Sequence, residues 1–504
     1  MRNIAAITAF FLLAFNLLIP SQSTAAPSLW QSKVDPWVLQ TAAQGETEFL
    51  VFLQQQADLS GAEALKTKQE KGTYVFEQLT QTAARTQGPL LAALEEMGID
   101  HRSFWIANMI WVRGGAQAVH TLSLRRDVAH IYANPQVRLQ EPFLTPALPT
   151  FPQTTDAVEW NIAKVNAPQL WSLGFTGQGA VIAGQDTGYD WEHPALKNQY
   201  RGWDGNNADH NYNWHDAIHI SSNTDCPPDR QKPCDDYGHG THTMGTMLGD
   251  DGNTNKIGMA PGARWVGCRN MDEGFGTPST YSECYQWFLA PTDLNDNNPR
   301  SDLAPDVINN SWGCPTYEGC TDPNVLLTVV ENVRLAGILT VHSAGNYGSQ
   351  GCFSVRDPAA IYDASFTVGA TDSIDVIAGF SSRGPVSVDG SYRLKPDVSA
   401  PGVNIRSCVP GNGYASMQGT SMAAPHVAGL VALLISAYPQ LAGQVDALEN
   451  MIKFSALPRT TEQTCGDVTG LGIPNNTYGF GRIDAYAAYN WLHSAYIPLV
   501  QSIP

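Results

Sequence analysis

The chain is 504 residues long with a formal net charge of −18 and a sequence isoelectric point near 5.0. That balance, with no basic cluster, argues against a nucleic-acid partner, because no surface is available to neutralise phosphates. Hydrophobic residues make up 43% of the chain and nine residues are cysteine, which suits a globular protein with one large core and a smaller one. No internal repeat or low-complexity tract is present.

In chain order, residues 1–26 read as an export signal. Arg2 is the only early charge, Ile4 to Ile19 is largely apolar, and Thr24-Ala25-Ala26 offers a small-residue cleavage site. The apolar run is too short to favour a permanent span, and no other stretch reaches ~18 apolar residues. The expected location is secreted and extracellular, with no membrane span in the mature protein.

Residues 27–145 read as a small α+β domain. Phe49-Leu50-Val51-Phe52-Leu53 suggests a strand. A helical region follows with apolar positions Val75, Leu79, Leu90, Leu91 and Leu94, broken near Gly72 and Gly88-Pro89. Phe104 to Val112 reads as one strand, Ala116 to Leu124 as a short helix, and Val128 to Tyr132 as another strand. The alternation predicts a split, ferredoxin-like α+β sandwich. Pro142, Pro146, Pro149 and Pro152 lie in an exposed connector, a natural place for proteolysis.

Residues 150–492 are long enough for one large α/β domain, followed by a short tail, 493–504. Strand-like runs at Val181–Ala183, Trp265–Val266, Val307–Ile308, Ile338–Val341 and Phe366–Val368 alternate with helical ones. Such alternation predicts a mostly parallel central sheet flanked by helices, with any ligand site at the carboxyl ends of the strands.

Three segments of this domain carry chemistry. Gly419-Thr420-Ser421-Met422-Ala423-Ala424-Pro425-His426 places Ser421 at the mouth of an apolar helix. There the unpaired N–H groups and the dipole stabilise a developing oxyanion. Pro425 is expected within the first turn of that helix, where its missing N–H costs nothing. A serine nucleophile also needs a base, and the base needs a carboxylate to orient it. Tyr237-Gly238-His239-Gly240-Thr241-His242 supplies His239 at a helix start, and Asp186-Thr187-Gly188 ends an apolar strand. Asp235 and Asp236 are rivals for the carboxylate role, but their hydrophilic setting reads as a solvated loop.

Taken together, the segments around Asp186, His239 and Ser421 resemble the signatures of the subtilisin-like serine proteases. Gly379-Phe380-Ser381-Ser382-Arg383-Gly384-Pro385 and Lys395-Pro396-Asp397-Val398-Ser399-Ala400-Pro401-Gly402 are similar to further segments of that family, and the match runs from about Trp160 to Ala488. The resemblance implies that Asp186 orients the imidazole, His239 is general base and acid, and Ser421 is the nucleophile. His242 and His426 receive no catalytic role. Asn346, in Ser343-Ala344-Gly345-Asn346, is implied as an oxyanion donor together with the Ser421 backbone N–H. Ser311-Trp312-Gly313 resembles the edge that pairs with an extended peptide. Arg356 falls near the floor of the family's primary specificity pocket, where it would favour an acidic side chain, the alternative being an arginine paired with a neighbouring carboxylate such as Asp357, away from substrate. Residues 27–145 resemble an inhibitory propeptide removed by self-cleavage, the alternative being a permanent binding domain. The implied protein is a secreted, monomeric serine endopeptidase, acting on proteins or peptides, inhibited by its own propeptide and using no catalytic cofactor. A catalytically inactive scaffold acting as a binding protein is the alternative, and the presence of all four site residues weighs against it.

Nine cysteines in an exported chain suggest disulfides with one thiol left over. Cys226 with Cys234 and Cys314 with Cys320 are the expected pairs. The remaining five are unassigned, and the spacing does not suit zinc. Oxygen-rich loops at Asp204–Asp209 and Asp293–Asn298 leave structural calcium open, with solvated turns as the alternative.

Overall fold

The computed structural model describes residues 30–139, the backbone of 143–144, and residues 158–500, of which 493–500 by backbone alone. The expected export signal and most of the proline-rich connector lie outside the described residues.

The N-terminal unit is built on β1 (Thr47–Leu53), β2 (Asp100–Phe104), β3 (Met109–Gly114) and β4 (Val128–Ala133), with helices α1 (Lys68–Thr86), α2 (Gly88–Glu96) and α3 (Ala116–Ser123). The strand order is β2-β3-β1-β4, and every pairing is antiparallel. Phe49-Leu50-Val51-Phe52-Leu53 is apolar without alternation because both faces of β1 are covered. Phe49, Val51 and Leu53 pack with α2 and α3, whereas Leu50 and Phe52 join a core that also contains Tyr281, Tyr285 and Val329 of the larger unit.

Two expectations for this unit need correction. Phe104 to Val112 is not one strand: β2 and β3 form a hairpin that turns through Trp105–Asn108, with Asn108 at φ 41°. Asparagine tolerates that left-handed conformation better than most residues. Gly72 does not break the helix, which runs on to Thr86. It sits where α1 approaches the larger unit, and a Cβ there would stand 3.7 Å from the Ser301 carbonyl oxygen.

The larger unit has a seven-stranded sheet made of β5 (Val181–Asp186), β6 (Trp214–Asp216), β7 (Arg264–Arg269), β8 (Val307–Asn310), β9 (Leu339–Ser343), β10 (Phe366–Thr371) and β11 (Val398–Pro401). The order is β11-β10-β9-β8-β5-β7-β6, and all pairings are parallel. Helices α4 (His239–Leu248), α5 (Pro278–Leu289), α6 (Leu327–Leu335) and α7 (Thr420–Ala437) cover it. Neighbouring strand residues divide between two cores: Ile182 and Val307 face α4 and α7, whereas Ala183 and Ile308 face α5 and α6. Burial on both faces is the reason these strands are continuously apolar.

Helix α7 is apolar and long enough to cross a bilayer, but 94% of it is buried within the protein. Pro425 is its sixth residue, beyond the first turn where it was expected. The site itself supplies the compensation, as described below. All four disulfides lie in the larger unit: Cys226–Cys234 and Cys314–Cys320 as expected, with Cys268–Cys284 and Cys352–Cys465. Cys408 is the remaining thiol and is buried.

Because Leu430 is fully buried in α7, Leu430→Ala should lower stability by about 2–5 kcal/mol through lost transfer energy and a residual cavity. Urea unfolding followed by tryptophan fluorescence checks this as a lower midpoint.

Candidate active site

The strand order reverses about β5 and β8, and such a switch point opens a crevice at the carboxyl ends of the strands. Asp186 closes β5, Ser311 follows β8 and Asn346 follows β9, while His239 opens α4 and Ser421 lies in the first turn of α7.

Asp186 is almost fully buried. Its Oδ1 accepts from His239 Nδ1 at 2.7 Å and from the Thr187 backbone N–H at 2.8 Å, and its Oδ2 accepts from Thr243 Oγ1 at 3.3 Å. With Nδ1 donating, a neutral imidazole presents Nε2 as its acceptor. That atom is buried and has no hydrogen-bond partner among the described residues, so it is poised to take a proton. The close approach of α4 to β5 requires Gly240, where a Cβ would stand 2.1 Å from the Gly188 carbonyl oxygen and 3.0 Å from Asp186 Cβ.

Asp235 and Asp236 are not solvated, contrary to expectation. Asp235 accepts from Thr187 Oγ1 at 2.9 Å and from the backbone N–H groups of Gly238 at 2.8 Å and Thr241 at 2.9 Å, which fixes the turn into α4. Asp236 accepts from the buried Arg269 at 2.8 Å. Burial pushes the Asp236 carboxyl up to about 7, against the pull of Arg269. His242 Nε2 donates to the Ile405 carbonyl at 3.0 Å, and burial depresses the imidazole to about 3. His426 bonds the Met422 carbonyl at 3.0 Å and Asn161 at 2.8 Å, and burial depresses it to about 4. Both are packing residues in this fold.

Ser421 and Ser311 are bonded reciprocally. Ser421 Oγ donates to the Ser311 carbonyl at 3.1 Å, and Ser311 Oγ donates to the Ser421 carbonyl at 3.0 Å. The second bond explains Pro425. In a regular helix the Ser421 carbonyl would accept from residue 425, but proline has no N–H, and Ser311 fills the vacancy. No hydrogen bond joins Ser421 to His239 here; such contacts commonly tighten only around substrate. Asn346 Oδ1 accepts from the Thr420 backbone N–H at 2.9 Å and from Thr420 Oγ1 at 3.0 Å, which sets the orientation of its amide beside Ser421. Trp312 lines the cavity beside Ser421 and stacks on Tyr281, ring centroids 3.9 Å apart.

A small cavity brings together Ser421, Asn346, Gly313, Asp357, Arg138 and Leu139. Arg356 is not among the residues that line it. Its guanidinium stacks 4.2 Å above the Tyr347 ring and donates to Gln350 at 2.9 Å. Arg356, expected near the pocket floor, thus points to Tyr347 and Gln350, while its neighbour Asp357 lines the cavity. The N-terminal unit also reaches this site. Val137–Arg138 pairs antiparallel with Phe275–Gly276, Leu139 N–H donates to the Gly274 carbonyl at 2.7 Å, and Phe143–Leu144 pairs antiparallel with Met417–Gln418.

The two oxygen-rich loops do not fit calcium well. Asp204 Oδ1 accepts from the N–H groups of Asn206 and Asn207, and Asp293 Oδ1 from those of Asn295 and Asn297. The carboxylates thus close their own turns. Among the described residues no group of three or more His, Cys, Asp or Glu side chains could hold a metal.

Fold and site together define an α/β protein with an aspartate-oriented histidine and a helix-mouth serine at the switch point of a parallel sheet. The sequence profile described as Subtilase family matches residues 177–481, and the chain belongs to that family. It is 37% identical to bacillopeptidase F of Bacillus subtilis (strain 168) over 441 residues, 84% of this chain and 29% of that protein. Subtilisin E of the same organism is 34% identical over 284 residues, 56% of this chain and 62% of that protein. Subtilisin of Bacillus pumilus is 33% identical over 284 residues, 56% of this chain and 86% of that protein. The chain thus spans less than two thirds of the length of the first two relatives.

Gly240→Ala should push α4 off β5 and break the bond between His239 and Asp186. The expected outcome is loss of the downfield imidazole N–H proton resonance, with the circular dichroism of the fold retained.

Proposed function

We propose that this protein is an exported serine endopeptidase made as a self-processed zymogen. The observation that carries the reading is the buried Asp186–His239 pair, whose ring Nε2 is unclaimed, at the same end of the sheet as Ser421. Ser421 Oγ attacks the peptide carbonyl, His239 takes its proton and returns it to the leaving amine, and Asp186 holds the ring and stabilises its charged form. The Asn346 amide and the Ser421 backbone N–H stabilise the oxyanion. Substrate adds as an extended strand along the edge formed by Ser311–Gly313 and Phe275–Gly276.

The N-terminal unit is the zymogen's inhibitor in this reading. Arg138 and Leu139 lie in the cavity beside Ser421, with Val137–Arg138 paired to Phe275–Gly276 as a substrate would be. Export is supported by the apolar segment near the start of the sequence and by four disulfides, which persist in oxidising compartments.

Ser421→Ala should lower peptide turnover by ~10⁶ while the fold persists; near-normal cleavage by this variant would remove Ser421 as nucleophile. Asn346→Leu should lower kcat by ~10²–10³ with little change in KM. A loss confined to KM would make Asn346 a binding residue. N-terminal sequencing should place the start of the mature protein between Glu141 and Glu159, whereas Ser421→Ala should retain the N-terminal unit. Trimming of that variant at the same position in a protease-deficient host would refute self-processing.

A further inference from the structure

We infer that Asp357 is the floor of the pocket that receives the side chain just before the scissile bond, and that it selects lysine or arginine there. The inference rests on the peptidase reading above and names its substrate class. Asp357 lines the cavity shared with Ser421, Asn346 and Gly313. It is 5% exposed, and its Oδ2 accepts from the Tyr347 hydroxyl at 3.0 Å. Its Oδ1 is buried with no hydrogen-bond partner among the described residues, and the one cation whose charge acts on it there is Arg356. A buried carboxylate oxygen left unpaired is costly, and a cationic N–H donor is its strongest complement.

The walls hold the carboxylate in this position. Gly313 gives the closest approach, since a Cβ there would stand 2.5 Å from Asp357 Oδ2. The carboxylate therefore lies against the backbone that borders the substrate edge, within reach of a side chain entering beside Ser421. Arg356, the adjacent cation, is committed to Tyr347 and Gln350. A lysine or arginine from substrate would supply the missing donor, an apolar side chain would leave Oδ1 unpaired, and an acidic one would be repelled.

The geometry also gives a pH signature. Burial pushes the Asp357 carboxyl up to about 7, with the Tyr347 hydroxyl bond and the Arg356 charge pulling it down and Glu318 raising it. The charged or titratable groups around it are Tyr347, Arg356, Glu318 and the cavity-lining Arg138, with Tyr317 bonded to Tyr347. Because the folded value is raised, the carboxyl is neutral below about 7 and ionised above it. Preference for a basic side chain should therefore grow as pH rises through that range.

The test uses enzyme purified from full-length expression and matched peptides with Lys, Arg, Leu or Glu before the cleaved bond. Wild type should cleave the Lys and Arg peptides with the highest kcat/KM, and Asp357→Asn should lower the Lys-to-Leu ratio by ~30-fold or more. Arg356→Ala should keep the basic preference. Should Asp357→Asn fail to fold, benzamidine supplies an independent measurement on wild type. This cation should compete with cleavage of the Leu peptide, and more strongly at pH 8 than at pH 6. Preference for Leu or Glu over Lys in wild type overturns the inference, as does absence of benzamidine competition or an unchanged ratio in Asp357→Asn. Full turnover by Ser421→Ala would sink the peptidase reading, and this one with it; a Leu preference sinks this one alone.

Discussion

The site depends on one missing hydrogen bond. Helix α7 is buried on nearly all sides and contains a proline in its second turn, so the Ser421 carbonyl has no partner within its own helix. An unpaired carbonyl in that setting would cost about 1–3 kcal/mol. Ser311 satisfies it from the end of β8 and receives the Ser421 hydroxyl in return. The exchange ties the first turn of α7 to the end of β8 that borders the cleft. Thr420 extends the fastening to β9 through Asn346. A helix and two strand ends, with Ser421, Ser311 and Asn346 on them, are thereby fixed relative to one another, which is the preorganisation that the oxyanion role proposed for Asn346 requires.

Much of this was legible in the sequence because its physical causes are local. Strands buried on both faces must be apolar throughout, so β5, β8, β9 and β10 stand out as short runs. Asp186, His239 and Ser421 are flanked by glycine, alanine and threonine because backbone approaches them closely, and such runs of small residues are conspicuous. What could not be read depends on partners distant in sequence. β6 is Trp214-His215-Asp216, whose polar members are held by Glu283 and Arg269, and nothing in three residues signals a strand. Asp235 and Asp236 look like loop acids until Thr187, Thr241 and Arg269 are brought to them. The turn at Trp105–Asn108 contains neither glycine nor proline, so two apolar strands read as one.

The difference between Arg356 and Asp357 is of the same kind. They are adjacent, oppositely charged and in a loop without regular periodicity, downstream of a cysteine bonded to Cys465. Spacing places the pair near the cleft but cannot say which member enters it. The deciding contacts are the Tyr347 ring, which carries the guanidinium on its face and the carboxylate at its hydroxyl, and Gly313, whose lack of a side chain leaves room for the carboxylate.

The core that joins Leu50 and Phe52 to Tyr281, Tyr285 and Val329 crosses between the two units, and polar contacts edge it: the Trp105 N–H donates to Gln286, Asn332 donates to the Ile106 carbonyl and Lys68 pairs with Asp306. Covalent continuity and thermodynamic continuity are therefore separate properties of this molecule. A cut in the connector would remove the first and leave the second, so the severed fragment would stay seated at a high effective concentration. Its departure would require uncovering the lower face of β1. With the N-terminal unit as the inhibitor proposed above, the lag before cleavage begins would follow how readily the small sheet unfolds, and weakening it at Val51 or Val119, far from Ser421, would shorten that lag.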